Sequence, residues 1–224
     1  MINTDIITTD WQLIAYDQAW KQQEELFETT IRQCLQNEPT QNHLILCEHP
    51  HVFTLGKNGS HNNLLINNLQ LSEVHAEFVQ TNRGGDITYH GPGQLVGYPI
   101  FDLSNFSIGL KQYVHMVEEA IIMVVSAYGI HGDRLPGATG VWLDTDIPDK
   151  CRKICAIGVR SSHFVTMHGF ALNVNTDLNY FSYINPCGFI DKGVTSIAKE
   201  TQTLIDMTDV KKLTKEAFAK IFDL

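Results

Sequence analysis

The order of patterned segments predicts an α+β fold, a mixed sheet with flanking helices. Three observations predict it. Strand-like and helix-like stretches are interspersed, neighbouring strands lie close enough in sequence for hairpins, and there is no regular strand–helix–strand alternation. No linker or shift of composition divides the 224 residues, so 1–224 reads as a single domain with one sizeable core.

The elements follow in order. Met1 to Asp10 is polar with two aspartates and does not read as a signal peptide. Tyr16 to Leu35 is predicted as the first helix. Tyr16, Trp20, Phe27, Ile31 and Cys34/Leu35 keep helical spacing, Asp17 suits the first turn, and Glu38-Pro39 ends it. Cys34, on the apolar stripe, reads as core. His43 to Cys47 and Val52 to Leu55 are short strands around the turn Glu48-His49-Pro50-His51. His49 and His51 lack the spacing of a metal pair. Asn62 to Leu71 is expected as loop with a helical turn, and Glu77 to Gln80 as strand. Leu110 to Tyr128 repeats apolar residues at three and four and stops at Gly129. Gly140 to Leu143 is a strand. Ile154 to Val159 and Phe164 to Asn175 form a hairpin across Arg160-Ser161-Ser162-His163. Leu178 to Gly188 is structured loop, and Val210 to Phe222 is an amphipathic helix.

Composition narrows the function. With 43% hydrophobic and 18% charged residues the chain is globular. A net charge of -9 argues against a general nucleic-acid binder. A local basic patch around Lys150, Arg152, Lys153 and Arg160 would suit an acidic protein partner. No run approaches the roughly 20 apolar residues of a membrane span. Five scattered cysteines and no signal peptide favour free thiols in a reducing cytoplasm.

The densest stretch of glycine, charge and aromatic residues runs from Arg83 to Pro99. Asp86 to Tyr89 suits an extended chain. Gln94 to Phe101 alternates as a strand, with Leu95, Gly97 and Pro99 on one side and Val96, Tyr98 and Ile100 on the other. Gly91-Pro92-Gly93 between them is a turn signal. Glycines beside Arg83, Thr88, His90 and Gln94 suggest close approach of a ligand or another chain segment; a structural hairpin with a glycine bend explains them equally.

Three clusters compete for the chemistry. Cys151, Cys155, His163 and His168 resemble metal ligands, but their spacing is too short in the middle and Arg152 and Lys153 disfavour a cation. Cys187, between Pro186 and Gly188 in a loop, has the access a nucleophilic thiol needs. Lys153 begins the apolar strand Ile154-Cys155-Ala156-Ile157-Gly158, where desolvation can make a lysine an acid or base; a solvated strand-end lysine is the plainer alternative.

Together these residues resemble the octanoyltransferases of lipoate biosynthesis. Arg83-Gly84-Gly85, Thr88, His90, Gly91-Pro92-Gly93-Gln94 and Tyr98 match the family's first motif without departure. Lys153-Ile154 with Gly158 and Arg160 follows, then His168 to Asn173, then Asn185-Pro186-Cys187-Gly188. Glu48-His49-Pro50, Thr54-Leu55-Gly56 and Val194-Thr195-Ser196 are weaker matches, and the resemblance spans roughly residues 40 to 200. It implies a biotin/lipoate protein ligase-like fold and a catalytic pair, Cys187 and Lys153. It implies substrate binding by Arg83, Gly84, Gly85, Thr88, Tyr89, His90, Gly91, Gln94, Gly158, His168, Gly169 and Ala171. The implied partners are octanoyl-acyl carrier protein and the lipoyl domains of 2-oxoacid dehydrogenase subunits and the glycine-cleavage H protein. No cofactor or metal is implied, because thioester exchange and thioester-to-amide transfer need no ATP. An ATP-dependent lipoate or biotin ligase is the runner-up, and a non-catalytic module that docks lipoyl domains is the reading from another class.

Overall fold

The computed structural model describes residues 3–185 and 192–223. Its main sheet runs in the order β1 (Ile6–Leu13), β2 (Asn42–Glu48), β6 (Gln94–Ile100), β10 (Val165–Asn173), β9 (Arg152–Ser162), β8 (Ala138–Leu143), β7 (Asp133–Leu135). The short β11 (Gly193–Val194) pairs in parallel with β9. A smaller sheet has the order β4 (Glu77–Gln80), β3 (Val52–Leu55), β5 (Ile87–His90).

Period-two patterning assigns the two faces of the main sheet. Leu44, Leu46, Leu95, Phe170 and Leu172 pack with α3 (Leu110–Ser126) and α5 (Met207–Ile221). Ile45, Cys47, Val96, Tyr98, Val165 and Met167 pack with α1 (Tyr16–Leu35). The expected alternation of Leu95 against Val96, Tyr98 and Ile100 is what divides the faces of β6. On α3, Val117, Ile121 and Val124 are buried, each contributing about 1.5–3 kcal/mol relative to exposure. Gly129 has φ +73° just past its end.

Several expectations change. β1 occupies the N-terminal stretch read as merely polar. Its β-branched Ile6-Ile7-Thr8-Thr9 was the available signal, but as a largely solvated edge it shows no clean alternation. Asn62 to Leu71 holds a 3-10 turn at His61–Asn63 and the start of α2 (Asn68–Glu73), which Asn67 caps through a capping box. β9 and β10 do form a hairpin, yet their strands extend to Ser162 and from Val165. The turn is His163-Phe164, both at positive φ, a two-residue geometry without its usual Asn-Gly signature. The larger correction concerns the glycine-rich stretch. β5 and β6 are not a hairpin: β5 pairs with β3 in the small sheet, β6 with β2 and β10 in the main one. Gly91-Pro92-Gly93 is the joint where the chain crosses between sheets. There Gly93 N–H donates to Glu48 Oε2 (2.8 Å), while its carbonyl accepts from the N–H groups of Val174 and Asn175.

Candidate active site

A cavity of about 510 Å³ lies where the two sheets, the β9–β10 hairpin and the Arg83-Gly84-Gly85 loop meet. That volume suits a small-molecule site. Val96, Val114, Ile157, Val159 and Phe170 supply apolar lining, and Arg83, Thr88, Lys153 and Lys192 bring polar groups.

The loop is seated on β9. Gly84 N–H donates to the Val159 carbonyl at 2.9 Å. A side chain on Gly158 would place its Cβ 2.8 Å from the Gly84 carbonyl oxygen, so only glycine permits this approach. Arg83 is almost wholly buried. It donates to the Thr54 carbonyl (2.5 Å), the Thr54 hydroxyl (2.9 Å) and the Gly84 carbonyl (3.0 Å).

From Thr54 a directed chain of hydrogen bonds crosses the cavity wall. The Thr54 hydroxyl donates to His90 Nε2 at 3.3 Å, and His90 Nδ1–H donates to Gln94 Oε1 at 2.8 Å. The roles follow from Gln94, whose amide N–H groups are committed to the Tyr89 carbonyl (3.0 Å) and Asn173 Oδ1 (2.9 Å). Asn173 in turn donates to the Thr195 carbonyl at 3.0 Å, and Thr195 N–H donates to the Lys153 carbonyl at 3.0 Å. Burial, then the neighbouring His49 and Arg83, hold His90 well below its ordinary pKa. Burial, then Arg83 and Arg160, push His168 down to about 3. Both imidazoles are therefore neutral near pH 7 and work as hydrogen-bonding groups. His168 donates through Nε2 to Asn82 Oδ1 at 2.6 Å and has φ +62° within a strand, the kind of backbone outlier found where structure is held for function.

Among the residues singled out from sequence, Arg83, Gly84, Gly85, Thr88, His90, Gln94, Lys153, Gly158, His168, Gly169 and Ala171 line this one cavity. Tyr89 and Gly91 do not. β-strand alternation turns Tyr89 away from its neighbours, into the small-sheet core, where it stacks on Tyr180 (4.8 Å between ring centroids) and shares a 2.7 Å hydrogen bond with His51. Gly91 makes room for that hydroxyl, which a Cβ there would overlap at 1.9 Å. Cys187 lies outside the described residues.

The described residues contain no group of three or more His, Cys, Asp and Glu able to hold a metal. The four metal-like residues are dispersed: Cys151 is buried just before β9, Cys155 pairs across from Leu172, His168 from Val159, and His163 sits in the exposed turn. Burial pushes the Cys155 thiol up, which makes it inert beside Lys153. Of the cations named for a basic patch, Lys150 is exposed and the other three have their own surroundings. Arg152 is committed to Asp144 and to Glu200 (2.7 Å), Arg160 lies over Phe27 (5.1 Å), and Lys153 faces the cavity.

Sequence reasoning missed three site residues. Tyr16 stacks on His90 at 5.8 Å, Asn173 anchors Gln94, and Trp142 lies beneath the Lys153 amine at 4.5 Å. Asn173 closes a motif already noted. Tyr16 read as one more member of a helical stripe, and Trp142 as one apolar residue of a strand.

The fold and cavity define a protein of the lipoate- and biotin-ligase architecture. Lipoate-protein ligase A bound with ATP superposes with a TM-score of 0.66 at 13% identity, over 96% of this chain and 84% of that one. The bipartite ligase of a Thermoplasma acidophilum lipoylation system gives 0.67 at 13%, over 97% and 84%. Biotin protein ligase from Aquifex aeolicus with biotin and ATP gives 0.52 at 14%, over 97% and 70%. The chain belongs to the lipoyl protein ligase A/B catalytic domain family, which matches residues 15–219. Curated relatives named octanoyltransferase include one from Bacteroides thetaiotaomicron, 58% identical over 92% of this chain and 90% of its own length. Another, from Cytophaga hutchinsonii, is 50% identical over 99% and 94%.

Proposed function

We propose that the chain transfers an octanoyl group from octanoyl-acyl carrier protein to a lysine of a lipoyl domain, through a thioester on Cys187. The chain is an acyltransferase of lipoate biosynthesis, as its octanoyltransferase relatives support. The observation that carries the cysteine–lysine reading is the placement of Lys153. It lines a cavity with an apolar side, and the described residues that follow the Cys187 segment line the same cavity, while those before it reach the cavity-lining Asp86 through Asn63 (2.5 Å). Asn185 N–H donates to the Asn63 carbonyl at 2.8 Å on one side. On the other, Lys192, Gly193 and Val194 line the cavity, and Val194 pairs with Lys153 itself.

In the first half-reaction the Cys187 thiolate attacks the thioester carbonyl. The bond to the carrier's phosphopantetheine sulfur breaks, and Lys153 returns a proton to that sulfur. In the second, the neutral amine of the acceptor lysine attacks the acyl-cysteine. The bond to Cys187 Sγ breaks, and the proton shed by nitrogen passes to Lys153. One thioester becomes one amide, so the sequence is downhill without ATP. The polar wall of Arg83, Thr88, His90 and Gln94 shapes the cavity, and Gly158, Gly169 and Ala171 leave room along its strand side. The acceptors are lipoyl domains of 2-oxoacid dehydrogenase subunits and the glycine-cleavage H protein. A single catalytic domain in a reducing cytoplasm suits a mechanism that needs a free thiol. Among the described residues, no helix is long and apolar enough to cross a membrane.

Intact mass after mixing the protein with octanoyl-acyl carrier protein, without ATP, tests this. One added octanoyl group, absent in Cys187→Ala, is the expected result. Acylation of a lipoyl domain only with ATP and free octanoate would replace the transferase with a ligase.

A further inference from the structure

Lys153 sits on a seat built by an irregularity in the sheet. Val141 pairs with Cys155, but Trp142 pairs with Lys153 and Leu143 with Arg152, so the register shifts by one between Val141 and Trp142. Continued without the shift, the ladder would set Trp142 opposite Ile154. The bulge instead puts an indole and an amine on paired positions, where cross-strand side chains share a face. The Lys153 Nζ lies 4.5 Å from the centroid of the Trp142 ring, within the range of a cation–π contact. The ring is buried and held by its own Nε1–H, which donates to the Ala138 carbonyl at 2.9 Å. Gly140 completes the seat. It has φ +125°, and a Cβ there would lie 2.5 Å from the Cys155 carbonyl oxygen and 3.5 Å from Lys153 Cε.

We propose that Trp142 is the positioning residue for Lys153: its ring face holds the amine at the cavity wall and favours the protonated form. This rests on the reading of Lys153 as the proton carrier and says how that proton is kept available. The indole stabilises the ammonium through its ring face and adds no counter-charge of its own.

Other ionisable groups bear on the same amine. On β9 these are Cys155 and Arg152, the latter committed to Asp144 and Glu200. From α3, Glu118 accepts the Gly140 N–H at 3.0 Å and an Arg134 N–H at 3.0 Å. Arg83, Asp86, His90, His168 and Tyr16 line the opposite wall, and Lys192 lies beside β11. Cys187 belongs to the segment outside the described residues. All of these groups are retained in a Trp142 variant, and the Phe and Leu variants grade the ring face among them.

The test uses lysine labelled with ¹³C at Cε, with the Lys153 signal assigned by its loss in Lys153→Arg. Wild type, Trp142→Phe and Trp142→Leu are titrated by NMR, and kcat/KM is followed against pH. In Trp142→Leu the Lys153 midpoint should fall by about half to one and a half pH units, with the alkaline limb of the rate profile moving down alongside it. Trp142→Phe, which keeps a weaker ring face, should fall between and supplies the answer if the leucine variant does not fold. Equal midpoints in wild type and variants, with activity lowered evenly at every pH, would make Trp142 a packing residue and overturn the proposal. The NMR midpoints need no turnover. If the wild-type protein forms no octanoyl adduct, the acyl-enzyme reading fails while the seat of Lys153 is still decided by titration.

Discussion

The two walls of the cavity are built on opposite principles. The wall of Arg83, Thr54, His90, Gln94 and Asn173 is a directed chain in which nearly every donor has an acceptor, with its histidine held neutral. The wall of β8, β9 and β11 instead presents an amine on an aromatic face, at a register shift, with β11 following the Cys187 segment along the chain. The first wall spends its polar groups on each other and so holds a shape. The second keeps an ionisable group at the cavity surface, where the proposed mechanism needs a proton carrier. Thr195 joins them, since its carbonyl accepts from Asn173 and its N–H donates to the Lys153 carbonyl.

The largest separation between the walls is expected with Lys153→Met. Transfer of octanoyl to a lipoyl domain should fall by about 10²–10⁴-fold, the range for losing a general acid–base group, while the urea midpoint stays close to wild type. A variant that loses stability but keeps its rate would reverse the roles of the two walls. Gln94→Leu should show the opposite balance. It strands His90 Nδ1–H, Asn173 Oδ1 and the Tyr89 carbonyl, and each buried group left unpaired costs about 1–3 kcal/mol. Equilibrium unfolding in urea measures this, and a change within ±0.5 kcal/mol would mean that the chain of hydrogen bonds does not hold the wall.

The smallest effect concerns acid. Burial lowers His168 to about 3 and His49 to about 4. Below the unfolded value of roughly 6.5 the unfolded chain binds protons that the native one refuses. Stability contributed by these neutral imidazoles is therefore fully present above pH ~6.5 and declines as pH falls toward their folded values. Each site adds at most one proton, about 1.4 kcal/mol per pH unit, to that slope. His168→Asn, which tolerates the positive φ, should flatten the slope of unfolding free energy between pH 6 and 4.5 by close to one proton. An unchanged slope would show that His168 is protonated in the native state.

Much of this was legible in the chain because local rules and tertiary context agree. α1, β3 and β4 have the bounds that periodicity and turn residues predicted. Lys153 and most of the glycine-motif residues could be named, because close approach requires glycine and chemistry requires particular side chains. The errors share a cause. Tyr89 lies between two cavity residues in sequence, but strand alternation sends it to the other face. The named cations look like a patch along the chain, yet Asp144 and Glu200 reach Arg152 from elsewhere in sequence.

The sequence by itself determined the residue types, the mixed order of helices and strands, and the match to a family of acyl-transferring enzymes, since these depend on local pattern and on motifs in series. Only the tertiary structure decided that β5 and β6 belong to different sheets, that His90 is neutral, and that Trp142 faces Lys153. Strand partners, burial and a one-residue register shift depend on contacts between segments distant along the chain, and no local pattern encodes them.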